Sequence, residues 1–372
     1  MTETNNTGAL LEPGSTIDVV AKTDDGRCKT TLRDAAASAL LLVERRASGK
    51  EKPIATPWPS VNRCLPGGGY WPGMHVLVGG TGAGKSAWAL EVALHAAKNG
   101  AAVCYVGLEL DSDQVALRLM ANQNKNVSWS HAYTGKEGID QQAFADAAAE
   151  LSKLKAPFII ESGPPGGWPI DNLAHIAQEI RKEYKDGPAL VVIDFLQIVG
   201  TSDGTRELRE KIGKAAYLAR QVSREHGITV LLISSVARTK YNSADILLSA
   251  DLQPESSDPA SIGNPDSLVG LGKESGEIEY AADSVCALLR ATAYDKENNS
   301  PFVLAFAKVR AGKPHWAELR FNGARFTEPT KTDGRLLIEN LKANQASDTN
   351  TNKKTSAGAR VSYPPDKPEL DL

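Results

Sequence analysis

From Met74 to about Phe326 the chain alternates short apolar runs with longer amphipathic segments. That alternation is the βαβ rhythm of a parallel sheet. The runs are HVLVGG, AVCYVGLEL, PFIIES, ALVVIDFLQIV, ITVLLISS, SVCALLRA and FVLAFAKVR. Most are apolar almost throughout, as strands covered on both faces should be. Ahead of them, TLRDAAASALLLVERRAS (Thr31–Ser48) reads as one helix, rich in Ala and Leu, with a Thr before Asp34 near its start. It ends in Arg45 and Arg46, and Gly49 follows. The next stretch, PIATPWPSVNRCLPGGGYWPG, is rich in Pro and Gly and reads as a connector. From about Arg238 to Gly272, clusters of Ser, Asp, Pro and Gly break the rhythm and predict a long mobile loop. The expected organisation is a disordered tail over residues 1–28, a linker helix and connector over 29–73, and an α/β domain over 74–330. A helix fragment and a disordered polar tail occupy 331–372, where apolar residues are too few to pack.

Composition narrows the class little. Hydrophobic residues make up 41% and charged residues 23%, ordinary values for a soluble globular protein. No run of apolar residues is long enough to span a bilayer, and the first residues carry no basic-then-apolar leader, so no membrane contact is expected. Cys28, Cys64, Cys104 and Cys286 are far apart, with no CxxC pair. That spacing argues against structural zinc and fits reduced thiols in a cytoplasmic protein. The net charge of −3 leaves any basic nucleic-acid surface local rather than global.

The strongest chemical signal is Gly79-Gly80-Thr81-Gly82-Ala83-Gly84-Lys85-Ser86, a full G-x-x-x-x-G-K-S between the strand HVLV and the helix SAWALEVALHAAKNG. Glycines let the backbone curl so that successive N–H groups point at phosphate oxygens, and the helix start adds its positive dipole end. Lys85 is expected on the β- and γ-phosphates of ATP, and the Ser86 hydroxyl on Mg²⁺. Asp194 ends the apolar run ALVVID and is the candidate metal carboxylate, since ligands of open parallel sheets collect at strand carboxyl ends. Glu109 ends AVCYVGLEL after the phosphate-loop helix. By position alone it reads equally as the general base for the attacking water or as a surface residue leading into a helix capped by Asp111, Ser112 or Asp113.

The order of these motifs resembles the DnaB-type replicative helicase motor, a RecA-like ATPase with a mostly parallel sheet. The likeness runs from about Thr31 to Phe326. Its specific pieces are IDFLQ, the stretch Glu274–Asp283 (ESGEIEYAAD) and Lys308-x-Arg310-x-Gly312. The resemblance implies that Glu109 is the catalytic carboxylate. It also implies that Lys308 and Arg310 reach across a subunit boundary to the neighbour's γ-phosphate, where a guanidinium stabilises the charge on the transferred phosphoryl group. Lys273, Glu274 and Gly276 match a loop on the single-stranded DNA backbone, and Arg206 is a candidate contact in a second channel loop. The helix Thr31–Ser48 matches a linker helix that packs on the adjacent subunit of a hexameric ring. A primase or a loader protein is the partner class that follows from the family.

The chain also departs from that pattern. Ile233-Ser234-Ser235 stands where the family has a glutamine that senses the γ-phosphate, and the loop after Arg238 carries Asp245, Asp251, Glu255 and Asp258. A negatively charged loop is an odd lining for a DNA channel. The competing reading is therefore a RecA- or KaiC-like regulatory or recombination ATPase that binds DNA or a partner without unwinding.

Overall fold

The computed structural model describes residues 30–135, 138–163, 167–185, 187–201, 207–235, 276–290, 300–313 and 315–329. The expected tails, the loop after Arg238, the C-terminal helix fragment and the candidate DNA contacts Arg206, Lys273 and Glu274 lie outside them. Two compact units divide the chain at Lys52 and Pro53. In the first, α1 (Leu32–Ala47) starts on Thr31, whose Oγ1 accepts from the Asp34 amide at 3.2 Å, so the orphan donors of the first turn are met locally. Arg45 and Arg46 in its last turn both pair with Glu51. Leu32, Leu40 and Val43 are exposed along it, and α1 buries no residue.

In the second unit α2 (Pro59–Arg63) precedes β1 (Gly73–Gly79), and the phosphate loop leads into α3 (Lys85–Lys98). Then come β2 (Ala102–Gly107), α4 (Ser112–Gln123), α5 (Trp129–Thr134), α6 (Gln141–Leu151) and β3 (Phe158–Ser162). The short β4 (Trp168–Pro169), α7 (Asn172–Glu183), β5 (Ala189–Asp194), β6 (Val199–Gly200), α8 (Leu208–Glu225) and β7 (Thr229–Ser235) follow. Beyond them are α9 (Gly276–Ala281), β8 (Ser284–Arg290), β9 (Ser300–Val309), β10 (His315–Phe321) and β11 (Phe326–Thr327).

Among the described residues nine strands form the main sheet, in the order β11-β10-β9-β8-β1-β7-β5-β2-β3. The expected parallel strands hold from β8 to β3, with β1 central between β7 and β8. From β8 onward the pairing turns antiparallel, β8 to β9, β9 to β10 and β10 to β11, so the parallel rhythm does not run to the end of the domain. The strand β10 is absent from the apolar runs of the sequence. Its text, HWAELRF, interleaves charged residues with apolar ones, and Glu318 is buried in it against Arg320 at 2.5 Å.

Alternation along β1 divides the core between the two faces of the sheet. Met74, Val76 and Val78 face residues of α7, α8 and α9 such as Ile176, Ala216 and Ile278. Leu77 packs on the other side with Trp88 and Leu90 of α3 and Val115 of α4. The segment read as a connector belongs to this second cluster. Ile54, Trp58, Val61 and Tyr70 are all buried in it, Trp58 stacks on Trp88 at 5.7 Å, and its indole N–H donates to the Phe326 carbonyl at 3.1 Å. Aromatic burial of this kind stabilises by roughly 1.5–3 kcal/mol per side chain, enough to hold a Pro/Gly-rich stretch in place.

Glu91 of α3 is buried in the same layer and accepts from the Phe326 amide at 2.6 Å, tying β11 to the phosphate-loop helix. Burial raises its carboxyl to about 8 against the opposing pull of hydrogen bonds from Phe326 and Asn122. An acid whose folded pKa is raised binds a proton that the unfolded chain has already released. Stability from this group is therefore full below the ordinary carboxylate range and is lost as pH rises toward about 8. Glu91→Gln keeps an acceptor for Phe326 without the charge. It should match wild type in thermal melts near pH 5 and exceed it by on the order of a few kcal/mol above pH 8. A variant no more stable than wild type at the higher pH would show that burial does not raise the Glu91 carboxyl.

Candidate nucleotide site

The phosphate loop hangs from the carboxyl end of β1, between β7 and β8. Gly82 and Gly84 adopt φ of 73° and 81°, the left-handed region that glycine enters freely. A Cβ on Gly84 would also meet the Phe326 ring at 3.1 Å. Thr81 and Gly82 are exposed at the crest, and Ala83 is buried beneath it. The Lys85 ammonium donates to the Gly80 carbonyl at 2.9 Å, so the side chain curls back over the loop. Burial lowers its pKa, and the charges of Asp194 and Glu109 act in the opposite sense. A partly desolvated cation on a glycine-rich loop is a fitting receptor for a polyphosphate. Ser86 sits half-buried in the first turn of α3.

Asp194 ends β5 as expected and is 2% exposed. One of its oxygens accepts from the Tyr105 hydroxyl at 2.6 Å. Tyr105 is fully buried, and its phenol is pushed well above its ordinary range by burial first and then by the Asp194 charge, so it remains a donor. Glu109 does not end a strand. The ladder of β2 stops at Gly107, the Leu108 amide turns to the Asp194 carbonyl at 2.8 Å, and Glu109 is exposed one residue further on. Arg118 of α4 lies within the electrostatic reach of Tyr105, Asp194 and Glu109. Its guanidinium lies 4.2 Å from the Trp129 ring centroid. Gln197 follows Asp194 by three residues and closes on the end of β7, donating to Ser234 Oγ at 2.8 Å and accepting from the Ser235 amide at 3.3 Å.

Tyr105, Arg118 and Gln197 belong to this cluster although no sequence argument reached them. The only local signals are a hydroxyl-bearing residue inside an apolar strand and the unassigned Gln of IDFLQ.

Lys308 and Arg310 lie elsewhere. Val309 pairs with Ser284, which pairs with His75, whereas Gly79 pairs with Leu288. Arg310 thus sits at the amino end of β1, and the phosphate loop at its carboxyl end. The five-residue separation from Met74 to Gly79 is about 17 Å of strand. Arg310 Nε pairs with Asp283 Oδ1 at 2.8 Å, and Lys308 Nζ reaches the Tyr280 carbonyl at 3.4 Å. Gly276 is the first residue of α9.

No group of three or more His, Cys, Asp or Glu able to hold a metal occurs among the described residues. No helix among them is long and apolar enough to cross a membrane.

The chain is 26% identical over 268 residues to the replicative DNA helicase DnaB of Leifsonia xyli, covering 70% of this chain and 53% of that protein. It is 24% identical to a probable plasmid replicative DNA helicase of Chlamydia psittaci, over 64% of this chain and 47% of that one. The chain spans about half the length of the curated relatives it matches. Among solved structures, a DnaB-like replicative helicase studied with primase superposes with a TM-score of 0.63 at 17% identity, over 80% of this chain and 68% of that one. A separately solved ATPase domain superposes at 0.61 and 18% identity, over 79% of this chain and 98% of that chain. These superpositions establish the RecA-like ATPase fold. The sequence model described as DnaB-like helicase C terminal domain matches residues 67–328, and the chain belongs to that family.

Proposed function

We propose that this chain is the motor of a ring-shaped, ATP-driven helicase that moves along single-stranded DNA during replication of a phage, plasmid or mobile element. The carrying observation is Lys85, desolvated on a phosphate loop and within the fields of Asp194 and Glu109. The names of the relatives, replicative helicases and a probable plasmid replicative helicase, support the setting.

In this reading the amides of Gly79 to Ser86 and the Lys85 ammonium hold the ATP phosphates. Ser86 and Asp194 would hold Mg²⁺, which when bound neutralises charge on the phosphate oxygens. Tyr105 keeps Asp194 oriented. Glu109 is exposed and lies outside the strand ladder, so its carboxylate is available to take a proton from the attacking water. Lys308 and Arg310 lie at the far edge of the sheet, beyond reach of their own subunit's γ-phosphate. That distance favours action on a neighbour's nucleotide. A homo-oligomer, read as a hexameric ring, supplies the neighbour, and the exposed Leu32, Leu40 and Val43 of α1 give a linker helix an apolar face to dock. Arg206, Lys273, Glu274 and Gly276 remain the proposed DNA contacts. A primase or loader is the proposed protein partner.

The second reading, a regulatory or recombination ATPase, is favoured by one feature. Ser235 stands at the sensor position, and the nearby amide of Gln197 is occupied in holding Ser234 and Ser235. A strand-displacement assay on a forked duplex separates the two. The helicase reading expects ATP-dependent release of the displaced strand and none with a non-hydrolysable analogue. DNA-stimulated ATP hydrolysis without displacement would establish the second reading.

A further inference from the structure

Asp283 follows α9 and precedes β8, and it uses every polar group it has. Its amide donates to the Met74 carbonyl at 2.7 Å, and its own carbonyl accepts from the Arg310 amide at 2.8 Å. One carboxylate oxygen accepts from the Met74 amide at 3.0 Å, and the other pairs with Arg310 Nε at 2.8 Å. One residue therefore clasps the first residues of β1 to the end of β9. The clasp requires a missing side chain on β1. A Cβ at Gly73 would stand 2.5 Å from the Asp283 carboxylate, closer than real Cβ contacts come.

The consequence falls on the orientation of Arg310. Its Nε is taken by the carboxylate. One terminal nitrogen, Nη2, lies 3.5 Å and 3.4 Å from the carbonyls of Tyr280 and Ala282, distances at which a hydrogen bond is weak. The strong bond at Nε fixes the plane of the guanidinium, while Nη2 is held only weakly. The side chain as a whole is 42% exposed. Arg220 of α8 lies within the electrostatic reach of both Arg310 and Asp283, and Arg224 adds another positive charge beside it. Without the carboxylate, Arg310 would face the like charge of Arg220, held among the described residues by two long carbonyl contacts.

We propose that Asp283 is the positioning residue for Arg310, fixing the guanidinium through Nε at the amino end of β1 so that its terminal nitrogens are presented to the neighbouring subunit's nucleotide. This rests on the reading that Arg310 acts across a subunit boundary. Preorganisation is the physical reason for such an anchor. A flexible arginine must lose its side-chain freedom at the moment of reaction, and an anchored one has lost it beforehand.

Asp283→Asn tests the idea because it retains an acceptor for Met74 and removes the charge that holds Nε. The expected result is nucleotide affinity within about twofold of wild type and kcat lower by roughly tenfold. Placed on the Lys85→Ala subunit that supplies Arg310 in rings mixed with Arg310→Ala protein, the same change should lower the recovered turnover by a like factor, and placed on the Arg310→Ala subunit it should leave it unchanged. A purely structural role would instead lower the melting temperature and the recovered turnover whichever subunit carries it, and that result overturns the proposal. Normal kcat in Asp283→Asn overturns it as well. If Asp283→Asn melts too early for kinetics, Arg310→Lys takes its place. It keeps the charge, loses the Nε anchor, and should be slowed at least as much, whereas wild-type turnover would end the proposal. Wild-type turnover in Arg310→Ala would mark failure of the cross-boundary reading itself. An inactive Arg310→Ala beside a normal Asp283→Asn would remove the positioning role alone.

Discussion

Glu109→Gln protein is expected to bind ATP·Mg²⁺ as wild type does and to hydrolyse it slower by roughly a hundredfold or more. The expectation follows from where the chain leaves the sheet. The Leu108 amide bonds to the Asp194 carbonyl, which fixes the backbone beside the carboxylate proposed to hold the metal, and the next residue is Glu109. Its side chain is exposed, yet its charge reaches Lys85 together with that of Asp194. Glutamine preserves the size and removes the basicity, so binding and chemistry separate cleanly. Asp194→Asn should behave differently and weaken the Mg²⁺ dependence, because Asp194 is buried and its partner Tyr105 donates to it. Phosphate release and fluorescent-nucleotide binding measured on the same preparations decide the matter. Normal turnover in Glu109→Gln would put the base elsewhere and leave Glu109 as the residue that leads into α4.

What could be read from the sequence divides along a physical line. The strand–loop–helix setting of Gly79–Ser86 and the strand-end place of Asp194 were legible because they depend on neighbours in sequence. The helix α1 was legible for the same reason, with Thr31 at its start and Arg45 and Arg46 at its end. The segment with Trp58 and Tyr70 was misread as a connector. Its prolines and glycines are local signals, but the stacking of Trp58 on Trp88 is not. The antiparallel edge was hidden in a similar way. The charges of HWAELRF argue against a buried strand until Glu318 is seen paired with Arg320. Tyr105 and Asp194 are 89 residues apart, and nothing in either stretch announces the bond. The stretch Glu274–Asp283 was recognised as a motif, yet Asp283 acquired a purpose only when the fold brought it between Met74 and Arg310.

The sharpest consequence of the sheet's polarity concerns two inactive proteins. Arg310→Ala should bind ATP, assemble and fail to turn over, because its own nucleotide site is intact and its neighbour's lacks the guanidinium. Lys85→Ala should fail for the opposite reason, since Lys85 is the cation donating into the phosphate loop and removing it leaves the β- and γ-phosphates without that neutralisation. Mixed together, the two should recover activity. At some boundaries an Arg310→Ala subunit, with its phosphate loop intact, meets a Lys85→Ala subunit whose Arg310 is intact. Random assembly at equal amounts makes about a quarter of the boundaries of this kind in a ring of head-to-tail contacts. Recovered ATP hydrolysis should therefore peak near equal mixing and approach that fraction of the wild-type rate. The underlying geometry is the register of β8, β9 and β1, which sets Arg310 at the edge of the sheet opposite its own phosphate loop. A monomer with full activity, or mixtures silent at every ratio, would make Arg310 a surface cation held by Asp283 and would move the function toward the regulatory ATPase.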